Sequence, residues 1–210
     1  MSLYLMIGLI GLLYIVVFGG MNLLRREGLS IRFAIESLFV TAVAVILVVF
    51  TPIQIHPVLF LLLLYVITLR VRLLVDVANS FASRGRYVQA ERIYNLASHL
   101  WPDPTNKLIV MVNHATMLLQ GNKLDESISL FTEVLNQADQ GSLGVKYESA
   151  SHFNLGVAHL RRKNISKATI EFNSAIDTWP ASLYALRAQQ ALERMQHKEH
   201  IPEENKPADQ

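Results

Sequence analysis

Histidines are the only side chains in this sequence whose type and spacing suggest chemistry. His152 and His159 stand seven apart on one expected helix, so they lie on about the same face of it, and His114 sits on an earlier helix of similar pattern. A metal bound there needs a third ligand, usually a carboxylate, and ligand pairs on one helix stand closer, at i and i+4. The spacing therefore reads as packing. The chain has no cysteine, which removes disulfides, thiolate metal sites and thiol nucleophiles together. It has no glycine-rich phosphate loop and no activated-serine motif. The sequence points away from an enzyme, and neither a cofactor nor a metal is expected.

Other polar features invite bland readings as well. Asn164, Ile165 and Ser166 form a glycosylation sequon, which matters only on a secreted face and otherwise marks a turn. Arg161, Arg162 and Lys163 close an expected helix, where the dipole favours cations; contact with anionic lipid or an acidic partner is the competing reading. Glu36 stands on the shoulder of an apolar stretch, where an acid more often reaches the polar interface than acts inside the membrane. A net charge of +2 over 210 residues leaves no nucleic-acid footprint.

These residues hang on elements of two kinds. Neither 3–24 nor 37–69 contains a charged side chain. The first stretch has no basic leader and no convincing cleavage site, so it is expected to stay as a span rather than leave as a signal peptide. The second is too long for one crossing of ~20 residues, and Pro52 and Pro57 interrupt it, which makes a helical hairpin. The expected spans are 3–24, 33–51 and 57–75, the last running on as one continuous helix while Arg70 and Arg72 snorkel toward headgroups. Three spans put Arg25, Arg26, Arg32, Arg70 and Arg72 on one side, which the positive-inside rule makes cytoplasmic. The N-terminus is then outside. This is the pattern of an integral protein of a membrane such as the bacterial inner, cytoplasmic one, with an anchor over 1–69, a helical domain over 70–196 and a disordered polar tail over 197–210.

From residue 71 the chain repeats itself. Frames of about 34 residues laid over 71–104, 108–141 and 149–182 bring small residues and one ring into register. The first frame supplies Ala78, Ala90, Tyr94, Ala97 and Pro102, with Gly85 and Tyr87 at the turn between its helices; the third supplies Gly156, Ala168, Phe172, Ala175 and Pro180. The middle frame keeps Ala115, Ser127 and Phe131 but has Val134 and Asp139 where alanine and proline are expected. On these markers the region resembles the tetratricopeptide-repeat (TPR) family. The resemblance implies an all-α fold, a right-handed superhelix of helix pairs with a concave face. An amphipathic helix over 181–196 is expected to cap the last pair, and the extra residues SLGVKYE either lengthen the third pair's first helix or form a loop.

The family hosts many binding tasks, so the groove residues decide which apply. Asn79 and Asn113 match two asparagines of the family's carboxylate-binding grooves, but Val75, Ala150 and Asn154 stand where that binding mode has cations. Without them a carboxylate loses its charge-assisted bonds. Ile109, Val112, Leu119, Phe153 and Val157 complete an expected apolar concave face, suited to a helix or an extended hydrophobic segment of a protein partner, with Phe153 as its anchor. The competing reading has the third span's extension or the cap helix filling that groove. A membrane-tethered interaction scaffold or assembly factor follows, with the bilayer and a protein as partners. The alternative is a permanent structural subunit of a multi-subunit membrane complex.

Overall fold

A computed structural model of the chain describes residues 2–24, 31–138 and 143–199. Arg25, Arg26, Asp139 and most of the tail lie outside them. The described residues form helices only: α1 Leu3–Leu24, α2 Ile31–Phe50, α3 Pro57–Thr68, α4 Arg70–Ser83, α5 Tyr87–His99, α6 Pro104–Gln120, α7 Leu124–Ala138, α8 Val145–Arg161, α9 Ile165–Thr178 and α10 Leu183–Glu199.

Helices α1 and α2 are long and apolar enough to cross a membrane; their 22 and 20 residues make rods of about 33 and 30 Å. Leu5, Leu9, Leu12 and Leu13 of α1, and Ile35, Leu38 and Phe39 of α2, are exposed. The inward sides join through small and hydroxylated residues. A Cβ on Gly11 would stand 2.3 Å from Thr41 Oγ1, so glycine permits the close approach, and Thr41 satisfies its hydroxyl on the Ser37 carbonyl at 2.7 Å. Thr68 Oγ1 donates to the Leu64 carbonyl at 2.7 Å, which leaves Tyr14 to donate to Thr68 across the bundle, also at 2.7 Å.

The third helix departs from expectation. Pro57 opens α3 and His56 Nδ1 caps it on the Val58 amide, but α3 ends at Thr68 and α4 leaves at 73°. Its 12 residues measure about 18 Å, short of the ~30 Å that hydrocarbon requires. The expected continuous helix over 57–75 is thus broken at Leu69, without proline or glycine. Side-chain chemistry supplies the reason. The turn brings the Arg70 guanidinium onto Glu36 through both Nη atoms, at 2.7 and 3.1 Å, and onto the Ile67 carbonyl at 2.7 Å. Arg32 reaches the same carboxylate at 3.1 Å. A carboxylate at the margin of an apolar helix needs such bidentate partners.

From α4 onward the helices form three antiparallel pairs, α4/α5, α6/α7 and α8/α9, with α10 packed on the last. Ala78, Ala90, Tyr94, Ala97, Ala115, Ser127, Phe131, Val134, Ala168, Phe172 and Ala175 have no exposed surface. Val134 is accommodated in the middle pair's core, beside Phe131 and Leu155. Each pair also turns in the same way. Gly85, Asn122 and Lys163, the fifteenth residue of their frames, all have positive φ, at 72, 61 and 60°. The next amide in each case, Arg86, Lys123 or Asn164, reaches back to the carbonyl of Phe81, Leu118 or His159 at 2.9–3.0 Å. This is the Schellman helix stop, which favours glycine at the left-handed residue. Asn164, of the sequon, caps α9 on the Lys167 amide. Helix α8 begins at Val145, so four of the SLGVKYE residues lengthen it, and α10 starts at Leu183 and runs to Glu199, later than the 181–196 expected.

Lysine in the left-handed region costs about 1 kcal/mol relative to glycine. Lys163→Gly is therefore expected to raise the melting temperature of the full chain in detergent, followed by circular dichroism, and Gly85→Ala to lower it. An unchanged transition in both would show that these turns carry no backbone strain.

Candidate functional site

The expected groove residues lie on the first helices of the pairs, where α4 touches α6 and α6 touches α8. Val75, Ile109, Val112 and Leu119 are only 3–4% exposed. They belong to the core between pairs and cannot line an open apolar surface, which corrects their assignment to the groove. Helical periodicity places them on an inward face but does not separate the side meeting the next pair from the side meeting a ligand. Phe153 and Val157 are half-buried against the third pair, Phe153 with its ring 5.8 Å from Phe172 and 6.0 Å from Tyr184 of α10. The cap helix thus covers much of the proposed anchor.

What runs along this row is a polar ladder. Arg72 Nε donates to Asn106 Oδ1 at 3.2 Å, Asn79 Nδ2 to Asn113 Oδ1 at 3.0 Å and Asn154 Nδ2 to Thr116 Oγ1 at 3.3 Å. Arg161, in the basic run, closes it on the Leu119 carbonyl at 2.8 Å. Asn79 also accepts from the Tyr94 hydroxyl, whose burial pushes its pKa up and keeps it a donor. The two asparagines of the expected groove are therefore brought together, but as each other's partners. Part-buried amides paired in this way fix the register of neighbouring helices.

The histidines take separate roles. His114 stacks on Tyr94 with centroids 5.3 Å apart, and burial holds its imidazole below the usual histidine value. His152 and His159 do share a face, and it lines a groove of about 510 Å³ between α7, α8 and α9. Leu135 and Leu155 give this groove an apolar floor, while exposed Ile170 and the polar Thr132, Asn136, Lys167 and Glu171 complete it. His152 Nδ1 lies 2.8 Å from Glu171 Oε2. His159 is 9% exposed, and desolvation lowers its pKa, with Lys167 adding to the effect and Glu171 opposing it. Among the described residues no group of three histidine or carboxylate side chains could hold a metal.

The outward positions of α7 and α9 were not legible as a site, because exposed Thr132 or Ile170 on an amphipathic helix looks like any solvated face. Only the spacing between pairs opens the groove. A second recess, at the α3–α4 corner, is lined by Arg32, Glu36, Arg70, Arg72 and the α5–α6 loop with Trp101 and Asp103. Compared with family models, curated proteins and solved structures, the chain matches none of them.

Proposed function

We propose that the chain is a membrane-tethered protein-interaction scaffold whose stacked helix pairs are tetratricopeptide-like. The observation that carries this reading is the identical left-handed turn at the fifteenth residue of all three frames, with the family's marker positions buried around it. A stack of that kind is a scaffold for binding rather than a reaction chamber. The partner-facing surface in this reading is the groove between α7, α8 and α9. Its leucine floor suits apolar side chains of a protein segment, and Lys167 with the His152–Glu171 pair gives polar ends for its backbone. α3 acts as a short third span that ends at the bend, the N-terminus lies outside and the helix pairs lie in the cytoplasm. Arg32 and Arg70 meeting on one carboxylate supports the single-sided placement of arginines.

The structural-subunit reading is favoured by one feature, a cleft of about 290 Å³ along the membrane helices lined by Tyr14, Phe18, Val58, Leu61, Leu62 and Tyr65, which a further membrane helix would fill. Photo-crosslinking side chains placed at Ile170 and at Leu61 in native membranes separate the two. The scaffold reading expects a protein crosslink from Ile170 and lipid alone from Leu61. A fixed-stoichiometry protein crosslink from Leu61 with none from Ile170 would overturn it in favour of the subunit.

A further inference from the structure

We infer that Trp101 is a membrane-interface anchor, seated in the headgroup zone of the leaflet from which α2 departs, so that the α5–α6 loop holds the helix-pair region down on the bilayer. The inference rests on the reading of α1 and α2 as membrane spans and goes beyond it in assigning a lipid contact to the helix-pair region.

Trp101 is anomalous on two independent counts. Its φ is 48°, a region that bulky side chains rarely occupy. The residue is nevertheless 78% exposed, so burial of the ring does little to offset the backbone strain. The loop around it is well fixed. The Leu100 carbonyl accepts from Arg70 Nε at 3.4 Å, and Asp103 caps α6 on the Asn106 amide at 2.7 Å with Pro104 following. The ring is held out by a firm loop.

Its height relative to the membrane follows from its neighbours. Trp101, Pro102 and Asp103 border the same recess as Arg32, Phe33 and Glu36, in the first turns of α2, and as Thr68, Leu69 and Arg70 at the bend. Because α2 has the length of one crossing, its first turns mark the edge of the hydrocarbon. Trp101 stands at that edge. Indole, with an apolar body and one N–H donor, partitions to this zone. The recess holds three arginines against two carboxylates, Glu36 and Asp103, a balance that suits phosphate headgroups.

The chain carries two tryptophans, and Trp179, 38% exposed at the end of α9, is an internal reference. The full chain is reconstituted in phosphatidylcholine vesicles containing lipids brominated either just below the headgroup or near the chain ends. In the Trp179→Phe variant, Trp101 fluorescence is expected to fall roughly twofold with the shallow bromines and less with the deep ones, as an interfacial indole requires. In Trp101→Phe, the remaining Trp179 should be unaffected by either. The wild-type chain gives the same contrast by subtraction if the Trp179→Phe variant fails to fold. Quenching of Trp101 no greater than that of Trp179, in a chain that floats with the vesicles and resists alkaline extraction, overturns the anchor alone. A chain that neither floats nor resists extraction overturns the membrane reading and the anchor with it.

Discussion

Gly156→Leu is expected to destabilise the helix-pair region by about 3 kcal/mol, the upper end of the cost of overpacking a core. A Cβ at Gly156 already stands 2.7 Å from Cδ1 and Cε1 of Phe172. That ring has no exposed surface and lies among Ala168, Ala175 and Ala188, so it has nowhere to move. Thermal unfolding of the full chain in detergent measures the loss. Phe172→Leu in the same chain should recover ~1 kcal/mol, a coupling that a double-mutant cycle detects between residues in contact. Additive effects of the two substitutions would show that the clash is elsewhere. Ala97→Leu and Ala175→Leu act in the same direction, since both alanines are fully buried between paired helices.

The second large effect lies in α1 and α2, the two helices long and apolar enough to cross a membrane. Gly11→Leu should separate α1 from α2, because even its Cβ would fall 2.3 Å from Thr41 Oγ1 and 2.4 Å from Thr41 Cγ2. Lipid offers helices no hydrophobic reason to stay together, so close packing through small residues carries their association. A disulfide reports it directly, since the chain has no cysteine of its own. One turn away, a Cβ on Gly8 would lie 4.0 Å from Val45 Cγ2, in van der Waals contact, so cysteines at these two positions face each other across the helix pair. Gly8→Cys with Val45→Cys should oxidise readily, and adding Gly11→Leu should lower the yield roughly tenfold, as an overpacking cost of ~1–3 kcal/mol implies. Equal yields with and without Gly11→Leu would show that α1 and α2 do not meet through this glycine.

What could be read from the sequence was what local spacing encodes. Ala78, Ala115 and Gly156, like Ala90, Ser127 and Ala168, recur at the same position of successive frames, and that recurrence outlined the helix pairs. The uncharged stretches likewise outlined α1 and α2. The misreadings came from interactions between residues far apart in the chain. Nothing near Leu69 signals a break, because the break depends on Arg70 finding Glu36, 34 residues earlier. Val75 and Val112 looked like groove residues because an apolar stripe has the same period whether it meets a ligand or the next pair. Asn79 was matched to a groove asparagine, and in the structure its amide donates to Asn113 of the next pair. The groove lined by His152 and Ile170 exists only once α7, α8 and α9 are stacked, and no one helix announces it.

The shared turn at Gly85, Asn122 and Lys163 bears on how such a chain can change over generations. Each pair stops and reverses by hydrogen bonds made within a few residues of itself, so a whole pair is a unit that duplication can copy without redesign. Size in this architecture is quantised: a longer version gains another pair rather than longer helices. The two flanks are not open to such growth, because α4 is bound to the α2 corner through Arg70 and α10 covers the outer side of α8 and α9. New copies have to enter between the pairs, where the Asn79–Asn113 and Thr116–Asn154 rungs provide a join that an inserted unit can take over on both sides.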